Sequence, residues 1–293
     1  MFEGFQARRI KTSNAEIAVR TGGHGPALLL LHGYPQTHAI WHKVAPALAD
    51  RFSLVIPDLR GYGDSIGPKP DPEHLNYSKR AMARDMIEIM DALGQPRFRL
   101  GGHDRGARVA YRLALDFPER VKKLAILDIV PTLEAWEQMG WESALATYHW
   151  PFLAVPAPVP EKMIGSDPLF YMHHLLQRWA GRKDCFDPEA IAAYEASFAK
   201  PSVIEATCED YRAGATCDRE HDLADRKAGR KIQCPLLVIW GADYLKDKIA
   251  SPAEIWKKWA SDVREVPLNC GHFIAEEEPE ACAKAMREFF TNG

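Results

Sequence analysis

The chain has 293 residues, 46% of them hydrophobic and 26% charged, and a formal net charge of −3. That length suits one α/β domain with an insertion, or two compact domains, and the charge gives no reason to expect nucleic acid or an anionic membrane as a partner. No apolar run approaches the length of a bilayer span, and MFEGFQARRIKTSN at the N-terminus has no hydrophobic segment of the kind a secretory signal needs.

Elements in chain order alternate between strand and helix. Ile17–Arg20 reads as an early strand that ends in the turn Gly22-Gly23-His24-Gly25-Pro26, and Ala27–Leu31 is a continuous apolar run, as in a strand covered on both faces. Phe52–Ile56 is the next run and leads into Pro57-Asp58-Leu59-Arg60-Gly61-Tyr62-Gly63-Asp64-Ser65. Lys79–Leu93 carries an apolar helical face in Met82, Met86, Ile87, Ile89, Met90 and Leu93. Strand Phe98–Gly101, helix Arg105–Leu115 and strand Leu124–Leu127 follow. This alternation predicts a parallel, doubly wound sheet.

After Asp128 the character changes. No strand-like run occurs from Pro131 to about Leu223, and helical segments fall around Phe170–Trp179 and Pro188–Phe198. Strand character returns at Pro235–Trp240 and Val263–Leu268, and a terminal helix is expected from Glu278 to Phe290. The division is therefore a core of residues 1–130 and 224–293 with a helical lid of residues 131–223. The cysteines, Cys185, Cys208, Cys217, Cys234, Cys270 and Cys282, form no CxxC pair and no metal-like spacing. They are expected to be free thiols in a reducing compartment, the cytoplasm, and no metal site is expected.

Gly102-His103-Asp104-Arg105-Gly106 sits between a strand and a helix, the context of a nucleophile elbow. The usual central residue is serine; here it is Asp104. A carboxylate needs no base to act as a nucleophile near neutral pH and can displace a leaving group from an sp³ carbon. The product is an ester of the enzyme that water must hydrolyse. His32-Gly33-Tyr34-Pro35 follows the third strand, so the backbone N–H groups of Tyr34 and Arg105 are candidates for the oxyanion hole. His272, in Gly271-His272-Phe273 after the last strand, is placed to be the general base. Asp128 ends the sixth strand and Asp243 follows the seventh, and position alone leaves both open as the acid that orients His272.

Arg105 and Arg108 fall on the first turn of the helix that starts at the elbow, where both guanidinium groups can flank Asp104. Such forks suit a carboxylate, and a helix N-terminus favours an anion. A neutral epoxide or haloalkane has no use for two cations. The competing readings are a solvated Arg108 paired with a nearby acid and an Arg105 salt bridge to the lid.

Gly102-His103-Asp104-Arg105-Gly106-Ala107-Arg108, Asp128-Ile129-Val130-Pro131-Thr132, Tyr148-His149-Trp150, Glu209-Asp210-Tyr211-Arg212-Ala213 and Cys270-Gly271-His272-Phe273 together resemble the haloacetate (fluoroacetate) dehalogenases, over essentially the whole chain. The resemblance implies an α/β-hydrolase fold, a mostly parallel eight-stranded sheet with a helical cap inserted after strand six. It implies hydrolysis of haloacetate to glycolate and halide, with no cofactor and a homodimeric state. It also implies Asp128 as the triad acid, Arg105 and Arg108 on the substrate carboxylate, His149, Trp150 and Tyr211 as halide donors, and Trp179 as pocket lining. Two residues depart from the pattern: Tyr34 stands where phenylalanine is expected, and Asp243 stands where epoxide hydrolases carry their acid. An epoxide hydrolase would share the Asp–His–acid logic but needs two lid tyrosines, for which Tyr148, Tyr171 and Tyr211 are candidates. An inert receptor for a small acid is the alternative outside enzymes. A serine esterase lacks its nucleophile.

Overall fold

A computed structural model describes residues 1–245 and 251–291. Its strands are β1 (Gln6–Lys11), β2 (Glu16–Gly22), β3 (Ala27–Leu31), β4 (Ser53–Pro57), β5 (Phe98–His103), β6 (Val121–Leu127), β7 (Leu236–Gly241) and β8 (Val263–Leu268). They form one sheet in the order β1-β2-β4-β3-β5-β6-β7-β8, and β2 alone runs against the rest. β1 is absent from the sequence reading. Its residues QARRIK are almost all exposed, so backbone pairing with β2 holds it rather than an apolar face.

β3 shows why the run of leucines forms a central strand. Leu29 and Leu31 pack into the core on one face of the sheet, and Leu28 and Leu30 into the core on the other. All four are fully buried, each contributing about 1.5–3 kcal/mol relative to exposure. Helices α1 (Lys79–Ala92) and α2 (Asp104–Asp116) follow β4 and β5. α2 is buried along nearly its whole length because it lies between the sheet and the helices inserted after β6.

Those inserted helices include α3 (Thr132–Glu137), α4 (His149–Leu153), α5 (Pro168–Trp179), α6 (Pro188–Phe198), α7 (Pro201–Ala215) and α8 (Cys217–Lys227), and the chain then re-enters the sheet at β7. Buried ions join them to the core. Arg112 of α2 pairs with Asp222 of α8 at 2.7 Å and also contacts Asp225, and Lys79 at the start of α1 contacts Asp210 of α7 and Asp218 of α8. Helix α9 (Pro279–Thr291) closes the chain against the opposite core. Strand order reverses around β4, β3 and β5, which opens a crevice at the carboxyl ends of the parallel strands. Each residue of the expected triad sits at such an end.

Candidate active site

The loop after β5 turns directly into α2, and Asp104 stands at the turn with φ of +44°. A non-glycine residue there is strained, and its neighbours make the turn possible. A Cβ on Gly33 would lie 2.5 Å from the Asp104 Cβ, and one on Gly106 would lie 2.3 Å from the His32 carbonyl oxygen. Glycine at both positions lets the β3 and β5 loops close on each other. The carboxylate is thereby held over the sheet, where the Tyr34 backbone N–H donates to its Oδ2 at 3.0 Å. Asp104 is also the first residue of α2, so the helix dipole favours its negative charge.

His272, after β8, faces it. Its Nδ1 lies 2.5 Å from Asp128 Oδ2, and its Nε2 lies 4.0 Å from Asp104 Oδ1. The other Asp128 oxygen accepts the Gly241 N–H at 2.8 Å, and Asp128 has its own left-handed φ of +59° at the end of β6. Asp243, by contrast, is exposed on the short helix Ala242–Leu245 that follows β7. The Asp128–His272 arrangement orients the ring so that Nε2 points at the nucleophile.

Burial works against ionisation of Asp104, but His272, His103, Arg108 and Arg105 outweigh it and hold the carboxyl below its ordinary range. The nucleophile is anionic at neutral pH. Burial keeps the Tyr211 phenol, with help from the Asp104 charge, well above its ordinary range, so its proton stays in place as a donor.

A cavity of about 130 Å³ lies against these groups, lined by Asp104, Arg108, His149, Trp150, Trp179 and His272 among others. It is large enough for a ligand of only a few heavy atoms, since water takes roughly 30 Å³ in the liquid. Arg105, Tyr34 and Tyr211 are not among its lining residues but stand beside them. The Tyr211 ring is 5.7 Å from His149 and 6.2 Å from Trp150, and the Arg105 guanidinium lies 4.1 Å from the Tyr211 ring.

The two arginines differ. Arg105 is bonded to Asp210 through Nε at 2.9 Å and Nη2 at 2.7 Å, so the salt bridge to the inserted helices is formed, with Nη1 left without a partner among the described residues. Arg108 is only 3% exposed yet has no carboxylate within 4 Å among the described residues. Its Nη1 donates to the Val130 carbonyl and to Thr132 Oγ1, both at 3.1 Å, and its Nε has no partner among the described residues. The ring of Trp150 lies 4.5 Å from its guanidinium. Burial, then the Arg105 charge, pull the Arg108 pKa below its ordinary value. A buried cation with spare donors beside a nucleophile has the chemistry to receive a small anion.

Two residues of the site escaped the sequence reading. Asp210, which fixes Arg105, sits next to Tyr211 in the chain and signals itself only as one more acid. Tyr244 lines the cavity with its ring 4.7 Å from His272, and nothing in the run after β7 marks it. Of the lid tyrosines, Tyr148 and Tyr171 line a surface groove with Phe152 and Phe170 and not the cavity at Asp104. Among the described residues no cluster of His, Cys, Asp and Glu could hold a metal, and no helix is long and apolar enough to cross a membrane.

Comparison with known proteins agrees with this fold. A family model described as alpha/beta hydrolase fold matches residues 26–279. The chain is 44% identical over 293 residues to a fluoroacetate dehalogenase from Burkholderia sp, covering 100% of this chain and 96% of that one. It is 34% identical to a soluble epoxide hydrolase from Corynebacterium sp., covering 92% of each. A crystal structure of a protein from Nostoc sp PCC 7120 superposes with a TM-score of 0.98 at 50% identity, covering 100% of both chains.

Proposed function

The chain belongs to the alpha/beta hydrolase fold family, and from that premise we propose that it hydrolyses haloacetate (fluoroacetate or chloroacetate) to glycolate and halide through an ester on Asp104. The observation that carries this reading is Arg108, a buried guanidinium that has no acidic partner among the described residues and lines the cavity that holds a carboxylate nucleophile. The similarity to a fluoroacetate dehalogenase supports the substrate class.

The substrate carboxylate binds Arg108 and the free Nη1 of Arg105. This anchoring sets the α-carbon before Asp104, which displaces the halide in line and becomes an alkyl ester. His149, Trp150 and Tyr211 carry N–H and O–H donors that stabilise the leaving halide. His272, oriented by Asp128, then takes a proton from water as the water oxygen attacks the ester carbonyl of Asp104. The Tyr34 and Arg105 backbone N–H groups hold the oxyanion. Glycolate leaves with the proton that His272 returns, and Asp104, now holding one oxygen from water, regains its carboxylate by releasing the other water proton to solvent. Trp179 closes one wall of the pocket, and residues 131–223 serve as a cap over the core of residues 1–130 and 224–293.

The free cysteines, buried and unpaired, are in keeping with the cytoplasm as the site of action. Trp141, Leu145, Met163 and Phe170 on the cap are largely exposed, which supports a homodimer. Halide release from fluoroacetate and chloroacetate, measured beside diol formation from styrene oxide, tests the function. Diol without halide makes the protein an epoxide hydrolase, and neither product leaves the inert-receptor reading.

A further inference from the structure

The peptide segment that carries His272 is fixed from several sides. The His272 N–H donates to the Trp179 carbonyl at 2.9 Å, and its own carbonyl accepts from His103 Nε2 at 2.8 Å. The amides on either side belong to one carboxylate. Gly271 N–H donates to Glu277 Oε2 at 2.9 Å and Phe273 N–H to Glu277 Oε1 at 3.0 Å. The same Oε2 accepts the N–H groups of Gly181 at 2.8 Å and Arg182 at 3.0 Å, just beyond the end of α5. Four backbone donors thus converge on a side chain that is 2% exposed.

Glu277 touches neither Asp104 nor the cavity, and no Lys, Arg or His nitrogen lies within 4 Å of its carboxylate among the described residues. Burying a carboxylate with peptide dipoles as its main compensation costs several kcal/mol. A local geometry that must be exact is where such a cost is sustained. Here the geometry is that of the base. The bonds at Gly271 and Phe273 fix the backbone on both sides of His272, and those at Gly181 and Arg182 tie that backbone to the end of the helix that supplies Trp179.

We propose that Glu277 is a positioning residue for His272, acting through the amides of Gly271 and Phe273, and that ester hydrolysis depends on it while alkylation of Asp104 does not. The inference rests on the two-step reaction proposed above. Alkylation needs Asp104, the arginines and the halide donors, and Glu277 reaches none of them. Water activation needs Nε2 of His272 aimed at the ester, and a displacement of about 1 Å there costs about 100-fold.

The test is rapid-quench kinetics on the full chain with chloroacetate, following chloride for the first step and glycolate for the second. Glu277→Gln keeps the side chain's size but sets an NH₂ group against an N–H donor, so the loop must shift. Its ester hydrolysis is expected to slow by about 10- to 100-fold, with alkylation within about twofold of the wild type, and mass spectrometry should find the ester accumulating. Glu280→Gln, an exposed change on α9, should leave both steps alone. Where Glu277→Gln does not fold, Glu277→Asp is judged by the same ratio of rates, because its shorter carboxylate cannot reach both loops. Equal slowing of both steps, or no change in either, overturns the inference. A wild-type chain that forms no ester overturns the underlying reaction instead, and the two failures are thereby distinguished.

Discussion

Replacing Arg108 by methionine removes the cation on which the substrate assignment rests while keeping much of its volume. Nη1 is committed to Val130 and Thr132, which leaves Nε and Nη2 for a ligand. A hydrogen bond to a charged group contributes about 1.5–3 kcal/mol, so two of them to a carboxylate give about 3–6 kcal/mol. The expected loss in kcat/KM for chloroacetate is therefore about 150- to 25,000-fold. Stability should move little. The Val130 carbonyl and Thr132 hydroxyl lose a donor, but a buried charge without a counter-ion also disappears, and the two offset to within about 2 kcal/mol. The assay is halide release under initial-rate conditions, with urea unfolding on the same samples. Chloroacetamide, which lacks the negative charge, is the control, and its poor turnover should be insensitive to the change. A folded variant that keeps kcat/KM for chloroacetate within about threefold of wild type would refute the reasoning. So would a fall of several kcal/mol in stability, which would make Arg108 a strut and not a receptor.

Two other changes report on different parts of the site. His272→Gln should release about one equivalent of halide per chain and stop, leaving a carboxymethyl mass on Asp104, because only the second step needs a base; sustained turnover would rule out the assigned role. His103→Gln bears on stability. Burial, then the nearby His272, pushes the His103 pKa down from 6.5 to about 3. As pH falls below 6.5 the unfolded chain takes up a proton that the native one refuses, so stability declines with falling pH through that window. Between pH 7 and pH 5 this group alone should remove about 2 kcal/mol, and the variant should lack that component in urea titrations at the two pH values. Identical pH dependence in both proteins would disprove it.

The sequence makes visible what repeats or stands next to itself. Ala27–Leu31 and Val263–Leu268 are strands over the residues that their apolar content marks. Asp104 and His272 are legible because chain order and flanking glycines place them at strand ends. β1 is not legible, since all its residues but Ile10 are exposed and its stability lies mainly in pairing with β2. α7 is obscured for a related reason: Glu209, Asp210 and Arg212 are buried on it as ions, which erases the apolar stripe. The choice between Asp128 and Asp243 needed a third dimension. Both follow strands, and only the 2.5 Å approach of Asp128 to the His272 ring tells them apart. Glu277 is hidden for the same reason, because two of its four partners are backbone amides 96 and 95 residues away in the chain.

The elbow at Asp104 fixes a position in space without regard to the atom it presents. Gly33 and Gly106 make room for the backbone, and the Tyr34 amide waits beside whatever short side chain stands there. A hydroxyl at that point would face acyl carbon, whereas a carboxylate faces a carbon bearing halogen. In the reaction proposed above the inheritance of this fold is thus modular: one side chain selects the bond to be broken, and Arg108, one helical turn away, selects the charge of the molecule that contains it. Descendants of such a scaffold can change either choice and keep the other.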